Sequence, residues 1–336
     1  MKQEILSRIQ KKFPLVQKPF QTIANELNIS EDEVLSILQA EKKDKIIRQT
    51  SAIFDTKRLG YKSSLVAFKI PEEKIDAAVE IINSHPGVSH NYERNHDFNI
   101  WFTMAIAPDS EIGLDDTIKI LSILCDADDY IMLPTLKLFK INVKLNTTGK
   151  DAKKEKVKKV VHTDMELTPL HYELIKKIQY DIEIISEPFA KIISELNIDY
   201  ETFFAILQEL QDAGVMRRFA SILNHRKAGF NANAMVVWDV DEQKGEEIGE
   251  KAAAFSAVSH CYLRPKYKNW PYNLFTMVHG KTTEETNAII EDMAKEIESS
   301  SHMPLYSSRE FKKVRIEYFT PSFKEWETKY KNILKD

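Results

Sequence analysis

Imidazole, phenol and guanidinium recur at alternate positions in this chain. His260, Tyr262 and Arg264 stand at i, i+2 and i+4, and His90, Tyr92 and Arg94 repeat the series. On an extended strand this spacing sends all three side chains to one face of a sheet. His96 joins the first set if its strand runs that far. Further cations and rings gather nearby: Arg217 and Arg218 precede a strand-like run, His225, Arg226 and Lys227 close it, and Lys266, Tyr267, Trp270 and Tyr272 follow Arg264. Guanidinium groups hold carboxylates bidentately, aromatic rings cover a flat apolar body, and imidazole donates a proton near neutral pH. The ligand that suits such a face is large, flat and polyanionic: a polycarboxylated tetrapyrrole, or a nucleic acid base stacked beside its phosphate. Any one of these residues reads equally well as surface decoration or a salt bridge between packed sheets. Their repetition favours a site.

The elements that must position them are themselves written twice. Pro19-Phe20 and Glu26-Leu27-Asn28-Ile29 return as Pro188-Phe189 and Glu195-Leu196-Asn197-Ile198, and Val88-Ser89-His90 returns as Val258-Ser259-His260. So long a period marks a duplicated domain pair rather than a solenoid, whose repeats run about 20–50 residues. Each copy opens with helical periodicity: Ile5, Ile9, Ile23, Leu27, Val34, Leu35 and Leu38 fall at three-to-four spacing within their helices. Ser30 followed by Glu33 fits a capping box, and Asp199 is the matching cap in the second copy. These short helices read as a helix-turn-helix. The rest of each copy predicts strand, helix, two strands as a hairpin, helix and strand, the ferredoxin-like βαββαβ order. In the first copy the spans are 64–70, 72–84, 88–94 with 99–106, a helix from about 114, and 136–145. In the second they are 234–240, 243–254, 258–264, 272–279, 282–299 and 311–319. The expected fold class is therefore α+β, with domains at 1–60 (first helix-turn-helix), 61–149 (first ferredoxin-like), 164–229 (second helix-turn-helix) and 230–336 (second ferredoxin-like with a C-terminal helix). The lysine-rich 150–163 is expected to be a linker.

Composition narrows the chemistry. Among 336 residues there are nine Gly and no G-x-G-x-x-G or G-x-x-x-x-G-K-[ST], which argues against a phosphate-cradling loop. Two cysteines, Cys125 and Cys261, exclude a disulfide scaffold, a four-cysteine zinc site and a cysteine-ligated iron–sulfur cluster. The start has no signal pattern and no apolar run nears a bilayer span, so a cytoplasmic protein is expected. The net charge of -4 argues weakly against a surface built for nucleic acid.

A helix-turn-helix head followed by a ferredoxin-like tail resembles the Lrp/AsnC transcription regulators over both halves. The candidate recognition helices point away from DNA. The first opens with Glu31, Asp32 and Glu33, the second carries Glu201, Glu209 and Asp212, and neither holds a basic residue before Lys42. A closer resemblance lies in Val258-Ser259-His260-Cys261-Tyr262-Leu263-Arg264-Pro265, Trp270-Pro271-Tyr272-Asn273-Leu274-Phe275-Thr276-Met277-Val278-His279-Gly280, and Arg217-Arg218-Phe219-Ala220. These runs look like the B-type (or L-type) subunit of siroheme decarboxylases. His90-Asn91-Tyr92-Glu93-Arg94-Asn95-His96 with Asn99-Ile100-Trp101-Phe102-Thr103 looks like the A-type (or D-type) partner, so the chain resembles a natural fusion of both.

That resemblance implies conversion of siroheme to 12,18-didecarboxysiroheme, with two acetate carboxyl groups lost as CO2, in heme d1 or alternative heme biosynthesis. It implies no cofactor, because the substrate carries the iron. General-acid work falls to His260 or His225, with His90 and His96 as first-copy candidates. Arg217, Arg218, Arg226, Arg264, Lys266 and Arg94 are expected to hold carboxylates. Tyr262, Tyr267 and Trp270 are expected to pack on the macrocycle or donate a hydrogen bond. A histidine acting instead as axial iron ligand is equally open. Thr56 stands where the second copy has His225, so one dominant site is expected, mostly from the second copy, with the 265–271 loop as a lid. The halves are expected to form a pseudo-dimer within the chain. The alternative is a tetrapyrrole-responsive Lrp/AsnC-type regulator.

Overall fold

The computed structural model describes residues 1–141, 165–223 and 232–334. The predicted linker at 150–163, together with His225 and Arg226, lies outside the described residues. The chain divides into two compact units.

The first unit holds both helical heads. Helices α1 (Lys2–Lys11), α2 (Pro19–Leu27) and α3 (Glu31–Lys43) lead to strand β1 (Ile47–Phe54). Ser30 caps α3 by accepting the Glu33 N–H, and Asn28 ends α2 in the left-handed region at φ 54°. Asparagine tolerates that conformation better than most residues. The second copy, α6 (Pro169–Ile178), α7 (Ala190–Leu196), α8 (Tyr200–Asp212) and β7 (Met216–Leu223), repeats the turn with Asn197 at φ 52° and the cap with Asp199. β1 and β7 pair antiparallel. Phe13 of the first head packs against Phe189 and Phe219 of the second. Helix α3 is engaged by the second head: Glu31 accepts from the Ser186 hydroxyl, Gln39 donates to the Ile184 carbonyl, and Lys42 pairs with Asp181. A helix with its polar side chains bound this way suits an internal interface better than a DNA groove.

The second unit is built on β2 (Lys62–Lys69), α4 (Ile75–Ser84), β3 (Val88–Arg94), β4 (Ile100–Ile106), α5 (Gly113–Leu124), β5 (Asp129–Pro134) and β6 (Lys137–Ile141). Its second copy is β8 (Ala232–Val240), α9 (Gly245–Ala253), β9 (Val258–Leu263), β10 (Leu274–Gly280), α10 (Thr283–Glu296) and β11 (Ser299–Lys313), and α11 (Ser322–Tyr330) closes the chain. The nine strands run β5-β2-β4-β3-β11-β8-β10-β9-β6. Each copy's last strand thus crosses to the other copy: β11 pairs with both β8 and β3, and β6 pairs with β9. Only Thr135 and Leu136 separate β5 from β6, so the strand order forms a closed circuit.

The central strands are apolar on both faces, so they bury two layers. Val66, Phe68, Ile100 and Phe102 face helices α4 and α5, and Val236, Trp238, Leu274 and Val278 face α9 and α10. On the other face Ala67, Trp101, Met235, Val237, Phe275 and Leu305 pack together between the copies.

The predicted 136–145 contains β6, but the strand β5 before it was not expected, and β11 begins earlier than the predicted 311–319. Most β11 side chains are exposed, so no apolar alternation marks it, and β5 buries only Ile131 and Leu133. The C-terminal helix, expected with the second copy, packs instead on the first. Trp326 of α11 joins the core of α4 and α5 and meets the His85 ring at 4.5 Å.

Candidate functional site

Strands β3 and β9 carry the repeated His-Tyr-Arg series on the inner face of the circuit. Alternation holds, and each arginine is kept in line just at the strand end: Arg94 N–H donates to the Asn99 carbonyl and Arg264 N–H to the Asn273 carbonyl, both at 2.8 Å. Each strand also holds one extra residue. Val88 faces Met104 and His90 faces Thr103, while Val258 faces Val278 and His260 faces Met277. Ser89 and Ser259 are therefore bulged, and a bulge re-aims side chains beside a site. Both serine hydroxyls consequently bond the next histidine: Ser89 Oγ lies 3.0 Å from His90 Nδ1 and Ser259 Oγ 2.7 Å from His260 Nδ1.

The two series meet in one cavity of about 680 Å³, lined by His90, Tyr92, Arg94, His260, Tyr262 and Arg264. That volume is in the range of ~300–1,000 Å³ typical of small-molecule sites. Paired positions of the two copies continue the lining, Leu65 with Met235, Trp101 with Phe275, Thr103 with Met277. β11 adds Arg309, Glu310 and Lys313 from one side only.

Both guanidiniums are buried, Arg94 at 6% and Arg264 at 8% exposure. Arg94 donates to the Leu305 carbonyl at 2.7 Å and Arg264 to that of Leu133. Arg264 lies over Tyr262 at 4.8 Å, and Arg94 over Tyr92 at 5.6 Å. Burial brings each arginine down to about 10, so both stay charged at neutral pH. Burial, then the Glu310 carboxylate, pushes the Tyr92 phenol up to about 12 and keeps it a proton donor. The His260 imidazole falls below its usual value because it is buried and because a charge on His90 opposes its own. The cavity thus brings together two buried guanidiniums, two phenols and the imidazoles of His90, His260 and His279, groups able to hold anions and to exchange a proton.

Of the predicted site residues, the cavity gathers His90, Arg94, His260, Tyr262 and Arg264; His225 and Arg226 are outside the described residues, and the other described ones lie elsewhere. Trp270, expected against the ligand, is 1% exposed and packs in the core against Trp101, Tyr272 and Phe275. His96 stacks on Phe98 and meets Trp270 edge-on at 5.3 Å. Lys266 is paired with Asp239, and Tyr267 donates to the Met132 carbonyl. With Asn269 bonded to Asp129 and Tyr267 bridged to Trp270, the 265–271 loop is a pinned turn and not a lid. Arg217 and Arg218 sit on β7 in the other unit, where Arg217 pairs with Asp55 at 2.9 Å. Sequence reasoning assigned no role to Ser259, His279 and Asn233, which bond in series to His260, the last two also lining the cavity. Only the strand register, read with the bulge, places them behind His260.

Known proteins match this arrangement. The family model for the AsnC-like ligand binding domain matches residues 58–140 and again 227–312, and that for the siroheme decarboxylase NirDL-like HTH domain matches 2–48. Fold and site therefore define an Lrp/AsnC-like chain with tandem ligand-binding domains. A siroheme decarboxylase of Hydrogenobacter thermophilus is 41% identical over 323 residues, 96% of each chain. The siroheme decarboxylase beta subunit of Methanosarcina barkeri is 41% identical over 43% of this chain and 95% of its own. The crystal structure of the siroheme decarboxylase NirDL in co-complex with an iron-uroporphyrin III analogue superposes with a TM-score of 0.79 at 35% identity, covering 99% of both chains. The chain belongs to the siroheme decarboxylase family.

Proposed function

We propose that this chain is a carbon–carbon lyase that removes two acetate carboxyl groups of siroheme as CO2, giving 12,18-didecarboxysiroheme. The observation that carries the reading is the single cavity in which both copies place histidine, tyrosine and arginine, inside a chain alike end to end to a siroheme decarboxylase. In each step the bond between the acetate methylene and its carboxylate breaks. CO2 departs, and the bonding pair stays on carbon, delocalised into the macrocycle. One proton then makes the methyl group, so there is no net redox change.

Arg94 and Arg264 hold the substrate's carboxylates and orient the one that leaves, while Tyr92 and Tyr262 donate hydrogen bonds at its edge. A partly desolvated carboxylate is raised in energy relative to neutral CO2, which favours the cleavage. His260 delivers the proton, with His90 facing it from the first copy. In this reading the iron arrives with the substrate, and no separate cofactor is needed. Anaerobic incubation of the purified chain with siroheme, followed by mass spectrometry of the extracted tetrapyrrole, is expected to show loss of two CO2 units. Siroheme recovered unchanged, with a shifted Soret band, would point instead to a tetrapyrrole-binding regulator.

A further inference from the structure

Behind His260 stands a chain of polar groups that differs from the one behind His90. His260 Nδ1 lies 2.7 Å from Ser259 Oγ, which lies 2.5 Å from His279 Nε2, and His279 Nδ1 lies 2.7 Å from Asn233 Oδ1. Asn233 and His279 are directly paired across β8 and β10. The matching pair across β2 and β4 is Ser63 and Ala105, and Ser89 meets the Thr103 hydroxyl instead, at 2.7 Å. Two hydroxyls can bond in either direction and so fix nothing.

We propose that Asn233, His279 and Ser259 are positioning residues that fix the tautomer of His260, so that its Nε2 alone exchanges protons with the substrate. The direction follows link by link. The Asn233 carbonyl only accepts, so His279 carries its hydrogen on Nδ1. Burial, and then the neighbouring His260, holds His279 down to about 4, so it is neutral and its Nε2 is an acceptor. Ser259 must then donate to His279, which leaves the serine lone pairs to accept Nδ1–H from His260. With Nδ1–H engaged, the nitrogen His260 has left for the cavity is Nε2, able to take a proton from solvent and give it to a substrate carbon. The anchored hydrogen sets the ring orientation, as a second hydrogen bond does for any working imidazole. The catalytic consequence rests on the decarboxylase reading above, whereas the tautomer belongs to the free protein.

The test is 15N–1H correlation of the histidine rings in the ligand-free, 15N-histidine-labelled chain, with the His260 signal assigned by its loss in His260→Gln. His260 is expected as a single Nδ1–H tautomer. Asn233→Asp, nearly isosteric at an exposed position, places a carboxylate beside His279 and favours its cation, which donates from Nε2. The chain then runs backwards and His260 is expected to switch to Nε2–H, while kcat falls about 10–100-fold with little change in KM. Ser259→Ala breaks the chain and is expected to give a tautomer mixture. A wild-type His260 in the Nε2–H form, or a tautomer unmoved by both substitutions, overturns the proposal even if siroheme is turned over normally. An Asn233→Asp protein with the switched tautomer and unchanged kcat overturns the positioning role. Absence of turnover in the wild-type chain with the tautomer as expected sinks the decarboxylase reading instead.

Discussion

Arg94 and Arg264 make the same bond in exchanged roles, each guanidinium reaching a main-chain carbonyl of the other copy, that of Leu305 on β11 for Arg94 and that of Leu133 on β5 for Arg264. Each is buried, and each lies over the tyrosine two residues before it. One residue type therefore charges the cavity and ties the two copies together along its wall.

Replacing either arginine should separate these two effects. Arg264→Met keeps the apolar packing over Tyr262 and Phe275 but leaves the buried Leu133 carbonyl without its donor. The loss is about 1–3 kcal/mol, together with a charged contact to substrate of similar size. Thermal melting is expected to fall by several degrees. Titration with an iron-uroporphyrin analogue is expected to show at least about tenfold weaker binding.

His260→Gln retains a polar side chain of similar reach and removes the exchangeable ring proton. Turnover of siroheme is expected to drop about 10²–10⁴-fold with binding largely kept. Recovery of full activity in this variant, measured by mass spectrometry of the product, would remove His260 from the proton-transfer role.

Acid stability should report on His85, which does not line the cavity. It is 1% exposed, its Nδ1 accepts the Gly87 N–H at 2.9 Å, and burial, then the Lys312 charge, brings it to about 3. The unfolded chain protonates this ring near 6.5, so between pH 6.5 and 3 the unfolded state binds more protons and stability falls as pH falls. The slope from this one group is at most about 1.4 kcal/mol per pH unit. His85→Asn, which keeps an acceptor for Gly87 and cannot titrate, is expected to melt with a flatter pH dependence over that window.

Crossing of β6 to the second copy depends on Gly249. A methyl group there would meet the Phe139 ring at 2.3 Å, and Phe139 is buried against the second copy's core. Gly249→Ala is expected to cost about 1–3 kcal/mol through overpacking. Adding Phe139→Leu should restore part of the melting temperature, because the smaller side chain gives the methyl room.

Much of this protein is set locally and was legible as sequence. The capped helices with Asn28 and Asn197 at their turns, the hairpins at 88–106 and 258–280, and the alternation of histidine, tyrosine and arginine all follow from neighbours a few residues apart, where backbone sterics and strand pleat decide. Tertiary structure decided what faces what. Strands β6 and β11 change partners between copies, which turns two faces read separately into the walls of one cavity. Trp270, whose indole reads as a ligand platform, is drawn into the core because the closed circuit offers more apolar contact there. The bulges at Ser89 and Ser259 are visible only as a mismatch between two strands, since an extra residue is defined by its partner's register. His279 and Asn233 reach His260 through that bulge. Their contribution depends on pairing between distant segments, which no local pattern of residue types encodes.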